Sequence, residues 1–124
     1  MKYPKPKKVK LSKLKKRAED AVKLAAKKRD NYTCQKCRKI VFGSNAHASH
    51  VIPVSHGNVL RFDLRNIICL CYHCHINWWH KNPREASVWY EKKYPKDAAY
   101  QDKMKDVIVQ LEVEDYMRII KKYS

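Results

Sequence analysis

The sequence contains no apolar run long enough to cross a bilayer, and its lysine-rich start is not followed by the apolar core of a signal peptide. This predicts a cytoplasmic protein, or a nuclear one, with no membrane partner. Acidic residues are scarce: 12 Asp and Glu stand against 28 Lys and Arg, a formal net charge of +16. Such a field draws in polyanions and raises association rates, so nucleic acid is the expected partner, ahead of a merely soluble basic protein or an acidic-membrane binder. There is no internal repeat, and the only two glycines, Gly43 and Gly57, lie in stretches that read as turns. A disulfide framework is not expected either. Five cysteines in a reducing compartment are better read as metal ligands or catalytic thiols, and an odd number leaves one spare.

What is present fits one domain. A chain of 124 residues buries roughly two-thirds of its unfolded surface, with little left for a second core. Residues 1–10, MKYPKPKKVK, combine prolines and lysines with almost nothing apolar, which predicts a disordered basic arm ahead of a single domain over 11–124. From Ser12, read as an N-cap, Leu14, Ala18, Ala21, Val22 and Ala25 recur at helical spacing. A basic amphipathic helix over 11–30 follows, with Lys13, Lys15, Lys16 and Arg17 on its outer side, where they either meet DNA phosphates or form a solvated face.

Asn31 and Cys34-Gln-Lys-Cys37 break that pattern. A strand is expected over 47–54 and a second over 66–70, paired as a hairpin across a long polar loop around His56-Gly57-Asn58. The segment CYHCHINWWHKN has no glycine or proline before Pro83 and is read as helical. Asn82-Pro83 then looks like an N-cap with proline in the first turn, launching a helix through Ala86, Trp89 and Tyr90 that Pro95 ends. Tyr100, Met104, Val107, Ile108 and Leu111 form a further helical face. Tyr116, Ile119 and Ile120 continue or restart it past Glu114-Asp115, giving a helical tail over 83–124.

Cys34-x-x-Cys37 and Cys71-x-x-Cys74 supply four thiolates in two pairs, which suits a closed tetrahedral structural Zn²⁺ site. The insert between the pairs holds the whole hairpin, so the metal would pin a knuckle before it to the helix after it. Cys69 is the spare, read as a small buried hydrophobe. All six histidines fall between Cys34 and His80. For His56, His73 and His80, a packed or surface role is the simpler reading. Trp78, Trp79, Trp89 and Tyr90 either stack on bases or, at helical spacing, build core.

SHVIPVS followed by LRNIICLCYHCH resembles the ββα-metal core of HNH endonucleases, a treble-clef-like unit, over a core taken as 34–82. The flanks go further: the lysine-rich helix, KKRDNYTCQKC, HASH, LRFDLRN, and the second Cys pair followed by NP and WY are similar to phage NinG (Rap) recombination proteins. The first resemblance implies His50 as general base, Asn66 as the residue that orients it, and His75 as a ligand of a catalytic divalent metal, Mg²⁺ or Mn²⁺. It also implies products with 5′-phosphate and 3′-hydroxyl ends. The second implies branched or junction DNA as substrate, and the host cell cytoplasm as location if the chain is phage-encoded. At Ser49 the sequence departs from the family, which often has an aspartate or histidine ligand there; serine is a poor ligand, and His47 on the same strand face could serve. His80, five residues after His75, would face away on an α-helix, with Trp79 at the fourth position. Arg61 could grip a phosphate or pair with Asp63.

The expectation is an α+β fold, a zinc-clamped ββα core with a helix before it and helices after it, that cleaves DNA as a metal-dependent endonuclease. The alternatives are a nicking or non-specific HNH nuclease unconnected with recombination, and a zinc-dependent DNA-binding module without catalysis. A dimer is compatible with the sequence.

Overall fold

The computed structural model describes residues 10–55 and 57–124. Residues 1–9 of the expected arm, and His56, lie outside the described residues.

Helix α1, Leu11–Arg29, buries Leu14, Ala18, Val22 and Ala26, one residue per turn, and the small side chains let its backbone lie close to its neighbours. Its N-cap is Lys10 rather than Ser12: the Lys10 carbonyl takes the amides of Lys13 and Leu14, and no side chain caps the end. Consecutive left-handed residues, Asn31 (φ 54°) and Tyr32 (φ 49°), end the helix and turn the chain into the first cysteine pair.

Strands β1, His47–His50, and β2, Ile67–Leu70, form an antiparallel pair with His47 opposite Leu70 and His50 opposite Ile67. The hairpin is as expected, but β1 stops four residues early. Pro53 has no amide to give, and Ile52 is held by a side chain instead of a strand. Asn66 belongs to a short 3₁₀ turn, Leu64–Asn66, ahead of β2.

All four residues of β2 are buried, which explains the unbroken apolar run: the strand separates two cores. Ile68, Cys69 and Leu70 pack with Cys34, Val41, Trp79, Ala86 and Tyr90, whereas Ile67 packs with Phe62, Tyr116 and the buried line of α1. The outer edge of β2 is occupied as well. Arg29 donates to the Leu64 and Ile67 carbonyls at 2.7 and 2.5 Å, Asp30 accepts from the Cys69 amide at 2.9 Å, and the Gln35 amide donates to the Cys69 carbonyl at 2.9 Å.

The third element of the ββα unit is a π-helix, His73–Trp79, not an α-helix. Three α-helices follow: α2, Pro83–Lys93; α3, Pro95–Met104; and α4, Val113–Tyr123. Pro95 both ends α2 and opens α3. The Asn82 side chain does not cap α2; its amide donates back to the Trp78 carbonyl at 3.0 Å. The helical face expected through Val107, Ile108 and Leu111 is absent. Residues 105–112 leave the helix, and Asn58 pairs with Val109 through both its side-chain oxygen and nitrogen. A side chain at Gly57 would run into the carbonyls of Val107 and Lys105, so this segment and the hairpin loop meet backbone to backbone. Helix α4 restarts where Asp115 accepts from the Glu112 amide at 2.8 Å, and it packs along α1.

The result is an α+β fold: a ββα arrangement with a four-cysteine cluster, flanked by helices on both sides.

Candidate functional site

The sulfurs of Cys34, Cys37, Cys71 and Cys74 lie within 4.8 Å of one another, and Cys37 and Cys71 are 3.8 Å apart. Four thiolates on a tetrahedral zinc, with bonds of about 2.3 Å, stand roughly 3.8 Å from each other, so the donor set and spacing fit that ion. The knuckle is built locally. Arg38, in the left-handed region at φ 68°, turns the chain so that its amide meets the Cys34 carbonyl at 2.8 Å. Burial opposes ionisation of Cys34, but the amides of Cys37, Cys71 and Lys36 point at its sulfur and hold the thiol down at about 7. Cys69 stays outside the cluster, fully buried in β2, where burial and then Asp30 push it up to about 11.

Beside this cluster, a cleft of about 600 Å³ is lined by Lys23, His50, Val51, Pro53, His75, Trp79 and His80. His50, the last residue of β1, hydrogen-bonds through Nε2 to the Arg61 carbonyl at 3.0 Å. A carbonyl only accepts, so Nε2 carries the proton and Nδ1 keeps a lone pair. Burial lowers the His50 pKa, with the positive charges of Lys23 and Arg61 acting in the same direction against the Arg61 carbonyl and Glu19. The ring is therefore neutral near pH 7.

Among the described hydrogen bonds, none joins Asn66 to the His50 ring. Fully buried, Asn66 accepts from the Ile52 amide and donates to the carbonyls of Ile52 and Leu60, drawing together both ends of the loop that carries the Arg61 carbonyl. Among the described hydrogen bonds, Asn66 is linked to the His50 ring only through that loop.

His75 follows Cys74 on the π-helix. Its Nδ1 stands 2.9 Å from Nδ1 of His47. Nε2 of His47 donates to the Ser44 carbonyl at 3.0 Å, which leaves the His47 Nδ1 lone pair aimed at His75. Burial first, then the positive charge of His80, His47 and Lys23, pushes His75 down to about 4, so it too is neutral and able to donate a lone pair.

The helix type alters the neighbourhood of His75. On an α-helix His80 would sit about 140° around from it. In the π-helix the His80 amide bonds to the His75 carbonyl at 3.1 Å, and the two rings are 4.6 Å apart between centroids. His80 therefore faces the cleft next to His75, contrary to the α-helical expectation. Sequence periodicity missed it because the reading assumed 3.6 residues per turn; the histidine spacing itself was the available signal.

Ser49 is buried, 2% exposed, and does not line the cleft. Arg61 does not pair with Asp63: its guanidinium meets Glu19 of α1 at 2.9–3.0 Å, while Asp63 is taken by Arg65 and Tyr100. Lys13, Lys16 and Arg17 are exposed, Lys15 is half-exposed, and Lys16 pairs with Asp20. None of these four lines the cleft, whereas Lys23, two turns further along α1, does. His73 is exposed beside Asn77. Trp79 and Tyr90 are core, and Trp78 and Trp89 both meet Trp79 edge to face.

Residues 34–78 match the HNH endonuclease family model. An HNH endonuclease domain is present there. The matched segment contains both cysteine pairs, the hairpin and most of the π-helix, and it stops short of His80. No curated protein and no solved structure matches the chain. An HNH domain implies DNA binding, and together with the metal-binding cluster it supports a metal-dependent nuclease function.

Proposed function

We propose that this chain is a divalent-metal-dependent DNA endonuclease in which His50 takes the proton from the attacking water. The observation that carries this reading is the fixed tautomer of His50: Nε2 is committed to the Arg61 carbonyl, and Nδ1 is left with a lone pair on a ring that lines the cleft. His47 and His75 are the residues that would hold a catalytic cation, from the side of β1 and the π-helix. The chemistry such an ion would supply is Lewis-acid stabilisation of negative charge on the phosphate and the leaving oxygen. Lys23 draws the phosphate into the cleft. Asn66 is a positioning residue, acting through the loop that presents the Arg61 carbonyl. The four cysteines would hold a structural zinc that joins the knuckle to the π-helix on which His75 stands.

Branched recombination DNA is the proposed substrate class, supported by the likeness of both flanks to NinG proteins. Plasmid cleavage with and without a chelator tests the nuclease itself, and four-way-junction DNA in competition with linear duplex tests the branch preference. Chelator-insensitive binding without any cleavage would instead favour a DNA-binding module.

A further inference from the structure

We propose that the outer face of α2 is a subsite for an unpaired nucleotide of a nucleic-acid strand, with Trp89 as the ring on which the base stacks. Glu85, Val88, Trp89 and Lys92 recur at helical spacing on the side of α2 away from buried Ala86 and Tyr90. With Lys81, Pro83 and Arg84 they line a hollow of about 810 Å³. Pro83, Val88 and Trp89 give it an apolar wall, and Lys81, Arg84 and Lys92 set three cations on its rim against the one carboxylate of Glu85. Val88 is 49% exposed and Trp89 half-buried, so the wall meets solvent. The indole is held edge to face against Trp78 and Trp79, at 5.7 and 6.3 Å between centroids. The ammonium groups of Lys36 and Lys93 lie 5.8 and 5.2 Å from its centre and add to the positive field.

The hollow and the cleft of His50 meet at Pro83, which lines both, and His80 of the cleft is followed directly by Lys81 of the hollow. A strand with a phosphate beside His50 therefore reaches the indole by crossing Pro83. Base pairing decides which strand fits. A duplex turns its base faces inward and shows phosphate and sugar, for which a valine, a proline and an indole supply no partner. An unpaired base has a free π-face that stacks on an aromatic ring whatever its identity, while cations follow the backbone. An acidic peptide would satisfy the rim and leave the wall in water. The inference deepens the nuclease reading, on which it rests for what the cleft does: the favoured substrate carries an unpaired stretch beside the cut.

The test is fluorescence anisotropy of the zinc-loaded full chain with labelled oligothymidylate and, separately, with a blunt duplex, in the parent, Trp89→Ala, Trp89→Phe and Val88→Asp. Oligothymidylate should bind the parent and quench its tryptophan emission. Trp89→Ala should weaken that binding about tenfold, the loss of one stacked base, and Trp89→Phe should keep most of it, with duplex affinity changed less than about threefold in either. Because Trp89 also packs on Trp79, Val88→Asp is the independent check: exposed and outside the core, it sets a carboxylate in the hollow and should show the same selective loss. Parental oligothymidylate affinity in Trp89→Ala and Val88→Asp, equal losses for both DNAs, or displacement by polyglutamate as effective as by unlabelled oligothymidylate overturns the proposal. Selective loss in a protein that never cuts DNA would uphold the subsite and defeat the nuclease reading; duplex cleavage by a parent that ignores oligothymidylate would do the reverse.

Discussion

Asn66 treats Ile52 as a strand partner, its Oδ1 accepting from the Ile52 amide at 2.9 Å and its Nδ2 donating to the Ile52 carbonyl at 3.1 Å. A side chain here takes over where the backbone ladder ends, one step beyond the Val51 amide that donates to the Asn66 carbonyl at 2.8 Å. Asn66→Ala should therefore cost about 1–3 kcal/mol, the usual range for stranding buried polar groups, and lower kcat more than it raises KM because the Arg61 carbonyl is no longer fixed. Asn66→Asp should be no better, since a carboxylate oxygen would face the Ile52 and Leu60 carbonyls. Denaturant melts and steady-state cleavage check both; full activity in the aspartate variant would show that Asn66 acts in some other way.

His50→Ala should reduce cleavage about a hundredfold to ten-thousandfold, the contribution expected of a positioned base, while DNA binding and zinc content stay near parental values. Gel-shift and metal analysis on the same preparation check this. Parental cleavage by the variant, free of host nuclease, would falsify the assignment.

The depressed pKa of His50 has two consequences with the same sign. The acidic limb of the pH–rate profile should centre below the ordinary value of 6.5, because the base is neutral down to lower pH. Stability behaves likewise: the unfolded chain takes up this proton near 6.5 and the folded one only further down. His50's contribution is complete above that value and is lost as pH falls through the lowered one. Lys23 and Arg61 drive the shift alongside burial, so Lys23→Gln should move the acidic limb upward.

Cys74→Ser should lose the structural metal and most of the cooperative melt. Zinc binding is worth about 10–16 kcal/mol in zinc-finger peptides, comparable to or larger than the whole stability of a typical domain. A chelator should have the same effect on the parent. Thermal unfolding followed by circular dichroism, with zinc measured by elemental analysis, decides; an unchanged melting temperature would remove the clamp from this account.

Residues 1–10 carry five lysines. Each that meets a phosphate adds about 0.9 to the slope of log affinity against log salt, so deleting the segment should weaken DNA binding and flatten that slope. An unchanged slope would mean that the segment serves solubility only.

The cysteine pairs and the hairpin were legible because ligand spacing and alternation are local properties of the chain. Cys69 was legible for a similar reason: an Ile-Ile-Cys-Leu run offers no polar partner for a metal ligand. Other features depend on what meets in space. Glu19 lies 42 residues from Arg61, and nothing near Arg61 in sequence announces that α1 will pass over it. Ser12 looked like a cap because serine prefers that position, yet the cap falls two residues earlier, at Lys10. The apolar spacing through Val107 and Leu111 resembled a helix until Asn58 and Gly57 claimed that backbone. His80 was misplaced for a different reason: the residues were read correctly and the period of the helix was not.

Arg29, Asp30 and Gln35 together spend their polar groups on the outer rim of β2. A two-stranded sheet would otherwise offer a neighbouring molecule a row of open amides and carbonyls on its most apolar strand. With Ile67 and Cys69 already bonded from α1 and the knuckle, no second copy can extend the sheet from that side. Molecules crowded along a polyanion would thus not join through β2, and Arg29→Ala is where that protection would first give way.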